Sequence, residues 1–227
     1  MEERISTGIT SLDREVKGFK KNSVNLVAGS AGSGKTIMAI QFLMEGIKKG
    51  DNGVYITFEE RKSKTYDYMR SFGWDLEKHE KEKKFVFLEY TPEQVKRLIT
   101  EGGGEIENII KKSGARRIVI DSITSFALLY QDELTRKEAA LSLFELINSW
   151  NCTALLTSQT AEKNSLSSEL QFEVDSIMIL YHVPIKGTRK RGFEVIKMRG
   201  TKIPDKTFPL SITSNGIEIN TKKVAII

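Results

Sequence analysis

The chain has 227 residues, 39% of them hydrophobic and 29% charged, which is the balance of a folded protein with a full core and excludes a disordered polyelectrolyte. Thirty-five basic against thirty acidic residues leave a net charge of +5, a mild tilt that tolerates a polyanionic partner without requiring one. No run approaches the roughly eighteen apolar residues of a membrane span, the charged start Met1-Glu2-Glu3-Arg4 is not expected to be a secretory leader, and the lone Cys152 cannot form an internal disulfide, so the expected home is a reducing cytoplasm.

Strands and helices alternate through the first two thirds. Residues 24–28 read as an apolar strand, 35–49 as a helix, 54–58 as a second strand, 63–72 as a helix and 85–88 as a third strand. Thr91, Pro92 and Gln94 form a capping box that opens the next helix, Gly102-Gly103-Gly104 breaks it, and 105–112 resumes it. Residues 118–120 are a fourth strand. Thr135 and Glu138 read as a second capping box, and 152–157 as a fifth strand that buries Cys152 as a small core residue. Continuous apolar strands separated by helices indicate a parallel sheet covered on both faces. The last third changes to strands with short links, at 176–181, 192–198, 209–212 and 216–219, which predicts antiparallel hairpins. No linker or repeat interrupts the chain, so residues 1–227 are expected to form one domain.

Between the first strand and first helix lies Gly29-Ser30-Ala31-Gly32-Ser33-Gly34-Lys35-Thr36, the pattern Gly-x-x-x-x-Gly-Lys-Thr. Glycines let consecutive backbone N–H groups converge on phosphate oxygens, and the positive end of the following helix points at them. Lys35 adds a point charge at the β- and γ-phosphates, and Thr36 offers a hydroxyl to Mg²⁺. Chance gives on the order of 0.01 such matches in a chain this long, so the loop is read as a nucleoside triphosphate site. The Mg²⁺ shell needs a carboxylate from a neighbouring strand, and Asp121, ending the apolar run Ile118-Val119-Ile120, supplies it. Glu59 and Glu60 follow the second strand, where a carboxylate can take a proton from an attacking water. By themselves they would equally fit an acidic turn paired with Arg61 and Lys62.

Several stretches go further: Arg4-Ile5-Ser6-Thr7-Gly8-Ile9-Thr10-Ser11-Leu12-Asp13 at the start, the glycine loop, Phe58-Glu59-Glu60, Arg70-Ser71-Phe72-Gly73-Trp74-Asp75, Ile118 to Ser122, and Lys197-Met198-Arg199-Gly200-Thr201. Together, and in this order over about residues 4 to 220, they resemble the KaiC branch of the RecA-like P-loop ATPases. The resemblance implies a mostly parallel twisted α/β sheet with helices on both faces, ATP and its product ADP as ligands, and a hexameric ring with nucleotide at subunit interfaces. It implies nucleotide contacts from Gly29, Ser30, Ala31, Gly32, Ser33, Gly34, Lys35, Thr36 and Ile37, with Ser71 nearby. Lys197, Met198, Arg199, Thr201, Thr213 and Ser214 correspond to positions that contact the nucleotide of the neighbouring subunit. Spacing alone would make Lys197 and Arg199 the solvated basic face of an edge strand; the resemblance makes them a finger that reaches across the boundary to the phosphates. The clock protein of that family carries two such domains in tandem and a phosphorylated serine–threonine pair that has no counterpart here. Thr157-Ser158-Gln159 resembles instead the switch glutamine of RecA-like recombinases, placing Gln159 as a γ-phosphate sensor.

The leading expectation is therefore a Mg²⁺-dependent ATPase acting as a ring-shaped regulatory or motor module on a protein partner that the sequence does not name. A nucleic-acid-stimulated recombinase-like or helicase-like ATPase is the first rival. The polar segment 160–173 and the basic run Lys186, Arg189, Lys190 and Arg191 would carry that role, but neither interleaves the aromatics that stack on bases. A nucleotide-binding switch or scaffold with negligible turnover is the second rival, and Glu59 and Glu60 argue against it. His79 and His182 stand alone, so no metal other than Mg²⁺ is expected.

Overall fold

The chain opens with structure that leaves no periodic trace in the sequence. In the computed structural model, which describes residues 3–102, 104–127, 129, 130, 132–159 and 173–227, β1 (Arg4–Ile5) pairs antiparallel with β2 (Phe19–Lys20) around α1 (Thr10–Val16). Asp13 ties this segment together, accepting from the Ser6 and Thr7 hydroxyls at 2.6 and 2.7 Å and from the Thr7 N–H at 2.9 Å. Leu12, Val16 and Phe19 are fully buried beneath it.

The alternation follows as expected. It runs through β3 (Val24–Gly29), α2 (Lys35–Lys48), β4 (Asn52–Thr57), α3 (Lys62–Arg70), α4 (Leu76–Lys81), β5 (Phe85–Glu89), α5 (Pro92–Thr100), α6 (Gly104–Ser113), β6 (Ala115–Asp121), α7 (Ile123–Ala127), α8 (Glu133–Ser149) and β7 (Thr153–Gln159). The capping box at α5 is reciprocal: the Thr91 N–H donates to Gln94 Oε1 and the Gln94 N–H to Thr91 Oγ1. At α8 the expected cap is displaced by one turn. Asp132 caps the helix, accepting from the Thr135 N–H and hydroxyl, and Thr135 lies inside it; an aspartate is the better acceptor for first-turn N–H groups. The chain ends in β8 (Ser176–Ile185), β9 (Thr188–Met198), β10 (Phe208–Thr213) and β11 (Gly216–Ile219).

Among the described residues nine strands form one sheet in the order β11-β10-β9-β8-β3-β7-β6-β4-β5. From β8 to β5 every neighbour is parallel, and from β8 to β11 every neighbour is antiparallel. Alternation along the strands divides the core in two. Val27, Tyr55, Val119, Leu155 and Met178 pack with Met38, Ile40 and Leu43 of α2, whereas Leu26, Ile56, Ile120 and Leu156 pack with α6 and α8. Each such fully buried aliphatic side chain contributes about 1.5–3 kcal/mol relative to exposure. Cys152 is buried, and burial pushes its thiol up to about 11.

Arg117, only 2% exposed, braces the α2 side. It donates to Asp51 at 3.0 Å, to the Ser6 carbonyl at 2.9 Å and to the Phe42 carbonyl at 3.0 Å. A Cβ on Gly46 would lie 2.4 Å from it, so the helix passes the guanidinium only because that residue is glycine. The bracing fixes α2, and hence the loop before it, against the strand that ends in Asp121.

Candidate functional site

The glycine loop leaves the sheet at its centre. Gly29 ends β3 between Gln159 of β7 and Leu180 of β8, and a Cβ there would lie 2.5 Å from the Leu180 carbonyl oxygen and 2.6 Å from Ser33 Oγ. Gly32 and Gly34 have φ of +72° and +111°, values that side chains disfavour and glycine accepts. No side chain caps the α2 N-terminus, which leaves its first-turn N–H groups to an anion. Lys35 Nζ curls back into the loop, donating to the Gly29 and Ser30 carbonyls at 2.8 and 3.1 Å. Burial lowers its pKa, while Asp121 and then Glu59 oppose that shift. Ser33 is fully buried and its hydroxyl has no hydrogen-bond partner among the described residues; Ile37, on the first turn of α2, packs on the core beneath.

Asp121 meets Thr36 directly: the Thr36 hydroxyl donates to Asp121 Oδ2 at 2.7 Å. Two further hydroxyls converge on the same carboxylate, Tyr55 on Oδ2 at 2.7 Å and Thr157 on Oδ1. The register explains the meeting. Tyr55, Asp121 and Thr157 are on strands adjacent in the sheet, β4, β6 and β7, and period two aims all three at the α2 face. Burial, with Asp121 beside it, raises the Tyr55 phenol well above its ordinary pKa, so it remains a donor. Hydroxyl and carboxylate oxygens are the hard donors that Mg²⁺ takes, and the residues present fit that ion. Among the described residues no group of three His, Cys, Asp or Glu side chains gathers to hold another metal.

The paired glutamates sit on the turn after β4, where the Glu59 and Glu60 N–H groups both donate to Thr57 Oγ1. They are not equivalent. Glu59 Oε1 accepts from the Ser122 and Ser125 hydroxyls, each at 2.6 Å, which holds it beside Asp121, whereas among the described residues no such hydrogen bond holds the exposed Glu60. Gln159 lies at the end of β7 across from Gly29, and its N–H donates to Thr124 Oγ1 at 2.8 Å.

Two residues at the loop carry no motif. The β8–β9 hairpin folds over it, so that Arg191 Nε and Nη2 donate to the Gly32 carbonyl at 3.2 and 3.1 Å, and His182 Nδ1 lies 3.4 Å from the Ala31 carbonyl. Read as part of a solvated or nucleic-acid-binding tip, Arg191 instead touches the phosphate loop of its own chain. The hairpin register, which sets His182 opposite Arg191, brings it there. The polar segment 160–173 lies, apart from Glu173, outside the described residues.

Comparison with known proteins shows the family. A family model described as the ATPase KaiC matches residues 5–224. The chain belongs to the KaiC family of ATPases. It is 34% identical to the circadian clock protein KaiC3 of Synechocystis over 99% of its length, but spans 46% of that protein. A UPF0273 protein of Thermotoga maritima is 30% identical, with 96% of each chain covered. A KaiC-like protein of Pyrococcus horikoshii, known from a crystal structure, superposes with a TM-score of 0.86 at 32% identity, covering 97% of this chain and all of that one. KaiC-family membership supports ATP binding, and with the sheet described above it gives the chain a RecA-like P-loop ATPase fold.

The remaining positions drawn from the KaiC resemblance fall into two groups. Ser71 follows α3, its hydroxyl donating to the Tyr68 carbonyl. Trp74 comes within 2.9 Å of where a Gly216 Cβ would lie, and Ile212 and Ile217 pack on Gly34. The β10–β11 turn with Thr213 and Ser214 is therefore docked beside the chain's own phosphate loop, and Gln41 of α2 clasps it by bonding both the N–H and the carbonyl of Ile217. Lys197, Met198, Arg199 and Thr201 lie at the other end of the sheet. Met198 pairs with Ser176, which pairs with Asn25, four residues before Gly29, or about 13 Å along the strand. A bulge at Ile196 puts Met198 with Val195 in the core and Lys197 on the opposite face; burial first, then Arg199, lowers the Lys197 pKa. Among the described residues β10 pairs with β9 at Gly192 and Phe193, which covers that part of β9 and not Lys197 or Arg199. The Arg199 N–H donates to the Asp175 carbonyl at 2.9 Å. No helix among the described residues is long and apolar enough to cross a membrane.

Proposed function

We propose that the chain is a single-domain, Mg²⁺-dependent ATPase of the cytoplasm that works as a homo-oligomeric ring, a hexamer by family resemblance, and serves as a regulatory or motor module. The observation that carries this reading is the hydrogen bond from Thr36 to Asp121, which unites the two halves of a Mg²⁺–nucleotide site from elements far apart in sequence. Thr36 and Asp121 would hold Mg²⁺, whose charge offsets that of the β- and γ-phosphates. The loop from Gly29 to Gly34 cradles the phosphates with backbone N–H groups, and Lys35 supplies a fixed positive charge. Glu59, steadied by Ser122 and Ser125, accepts the proton of the water that attacks the γ-phosphorus. The bond to the β-phosphate oxygen breaks, leaving ADP and inorganic phosphate. Glu60 is the alternative base.

Lys197 and Arg199 cannot serve the phosphates of their own chain from the far end of the sheet, which supports a ring in which they complete the neighbour's site, with Thr201 beside them. Thr213 and Ser214 belong instead with Ser71 on the side of their own loop. Phosphate release from ATP in Mg²⁺ and in excess EDTA tests the core of this reading. Turnover should require the metal and vanish in Lys35→Ala; metal-independent turnover, or an active Lys35→Ala protein, would overturn it.

A further inference from the structure

The carboxylate that the phosphate loop meets is held by more than Thr36. Asp121 is 7% exposed, and a carboxyl group so buried needs partners on both oxygens. Thr36 is one, but its hydroxyl is also the group the metal would take, so it cannot by itself fix the direction of Asp121. The other donors come from the sheet. Tyr55 is fully buried, on the strand next to β6, and its phenol reaches Asp121 Oδ2 at 2.7 Å. Thr157, equally buried on the strand at the other side of β6, donates to Oδ1. A donor from each flanking strand, one per oxygen, leaves the carboxylate no free rotation.

We propose that Tyr55, together with Thr157, is a positioning residue for the metal-holding carboxylate, and that it sets the affinity of the nucleotide complex for its divalent cation; this rests on the ATPase reading above. The alternative is a core tyrosine that bonds Asp121 only because it lies nearby. Its ring does pack on Phe87, with centroids 5.2 Å apart. Tyr55→Phe separates the two roles, since it keeps the ring and removes the hydroxyl.

Partners that orient a metal ligand typically change metal affinity by roughly 10- to 100-fold. The test measures Mn²⁺ binding to the protein–ADP complex by electron paramagnetic resonance, and ADP binding in EDTA by calorimetry. Tyr55→Phe should weaken Mn²⁺ about tenfold while metal-free ADP binding is retained. Thermal stability falls on either reading and therefore does not decide. A folded Tyr55→Phe protein with parental Mn²⁺ affinity overturns the proposal. Should that variant fail to fold, Thr157→Val carries the same test from the other carboxylate oxygen, and unchanged affinity there overturns it equally. A parent protein that binds ADP but no Mn²⁺ with it would defeat the ATPase reading itself, a result distinct from a variant that matches a working parent.

Discussion

The parallel and antiparallel halves of the sheet use their strand ends differently. In the parallel half, β3, β4, β6 and β7 all finish at the same edge, and Gly29, Thr57, Asp121 and Gln159 arrive there together because parallel strands share a direction. In the antiparallel half, β8 and β9 run in opposite senses, so one hairpin serves both edges. Its turn side places Arg191 and His182 on the phosphate loop, and its open end carries Lys197 and Arg199 away from that loop. The parallel half builds one site to which each strand adds a group; the antiparallel half divides its charges between two places.

The largest test of this division concerns the far end. If Arg199 acts on another copy, Arg199→Ala should lower turnover by roughly 10³-fold. Mixing it with Lys35→Ala should restore activity at interfaces where an intact loop faces an intact finger, and steady-state phosphate release across mixing ratios checks this. No rescue despite confirmed co-assembly would break the comparison. At the shared edge, Glu59→Gln should lower turnover about 10²-fold, and Glu60→Gln by much less, because Ser122 and Ser125 hold only Glu59. Single-turnover rates decide, and equal losses would erase the distinction. The smallest effect belongs to the hairpin. Arg191→Ala should weaken ATP binding about three- to tenfold, since an exposed charged donor on a backbone carbonyl orients the loop without touching the metal. A loss confined to the catalytic rate would instead assign Arg191 to the reacting phosphate.

Much of the parallel half could be read from the sequence because its signals are local. The glycine pattern needs only eight adjacent residues, and Asp121 is announced by the three apolar residues before it. The groups around them could not be read that way. Tyr55 is indistinguishable from a core aromatic until β4 is placed beside β6. Arg191 looked like part of a charged tip because β9 begins with four polar residues, Thr188 to Arg191, that show no alternation. The α8 cap was misplaced for a similar reason: Asp132 and Thr135 both suit an N-cap, and the choice depends on where the helix meets the sheet. The lead-in from β1 to β2 has elements of only two residues, too short for any period.

One strand, β9, runs from Arg191 on its own phosphate loop to the basic pair beyond the Ile196 bulge. A β-strand pinned in a sheet hardly stretches, so displacement at one end is delivered at the other. In a closed ring each β9 would thus be a pushrod between two nucleotides, its own chain's and the next, with the bulge as its joint. Whatever loosens or tightens one phosphate loop would then reach the following copy as movement of Lys197 and Arg199, and hydrolysis could pass around the ring in sequence rather than at random.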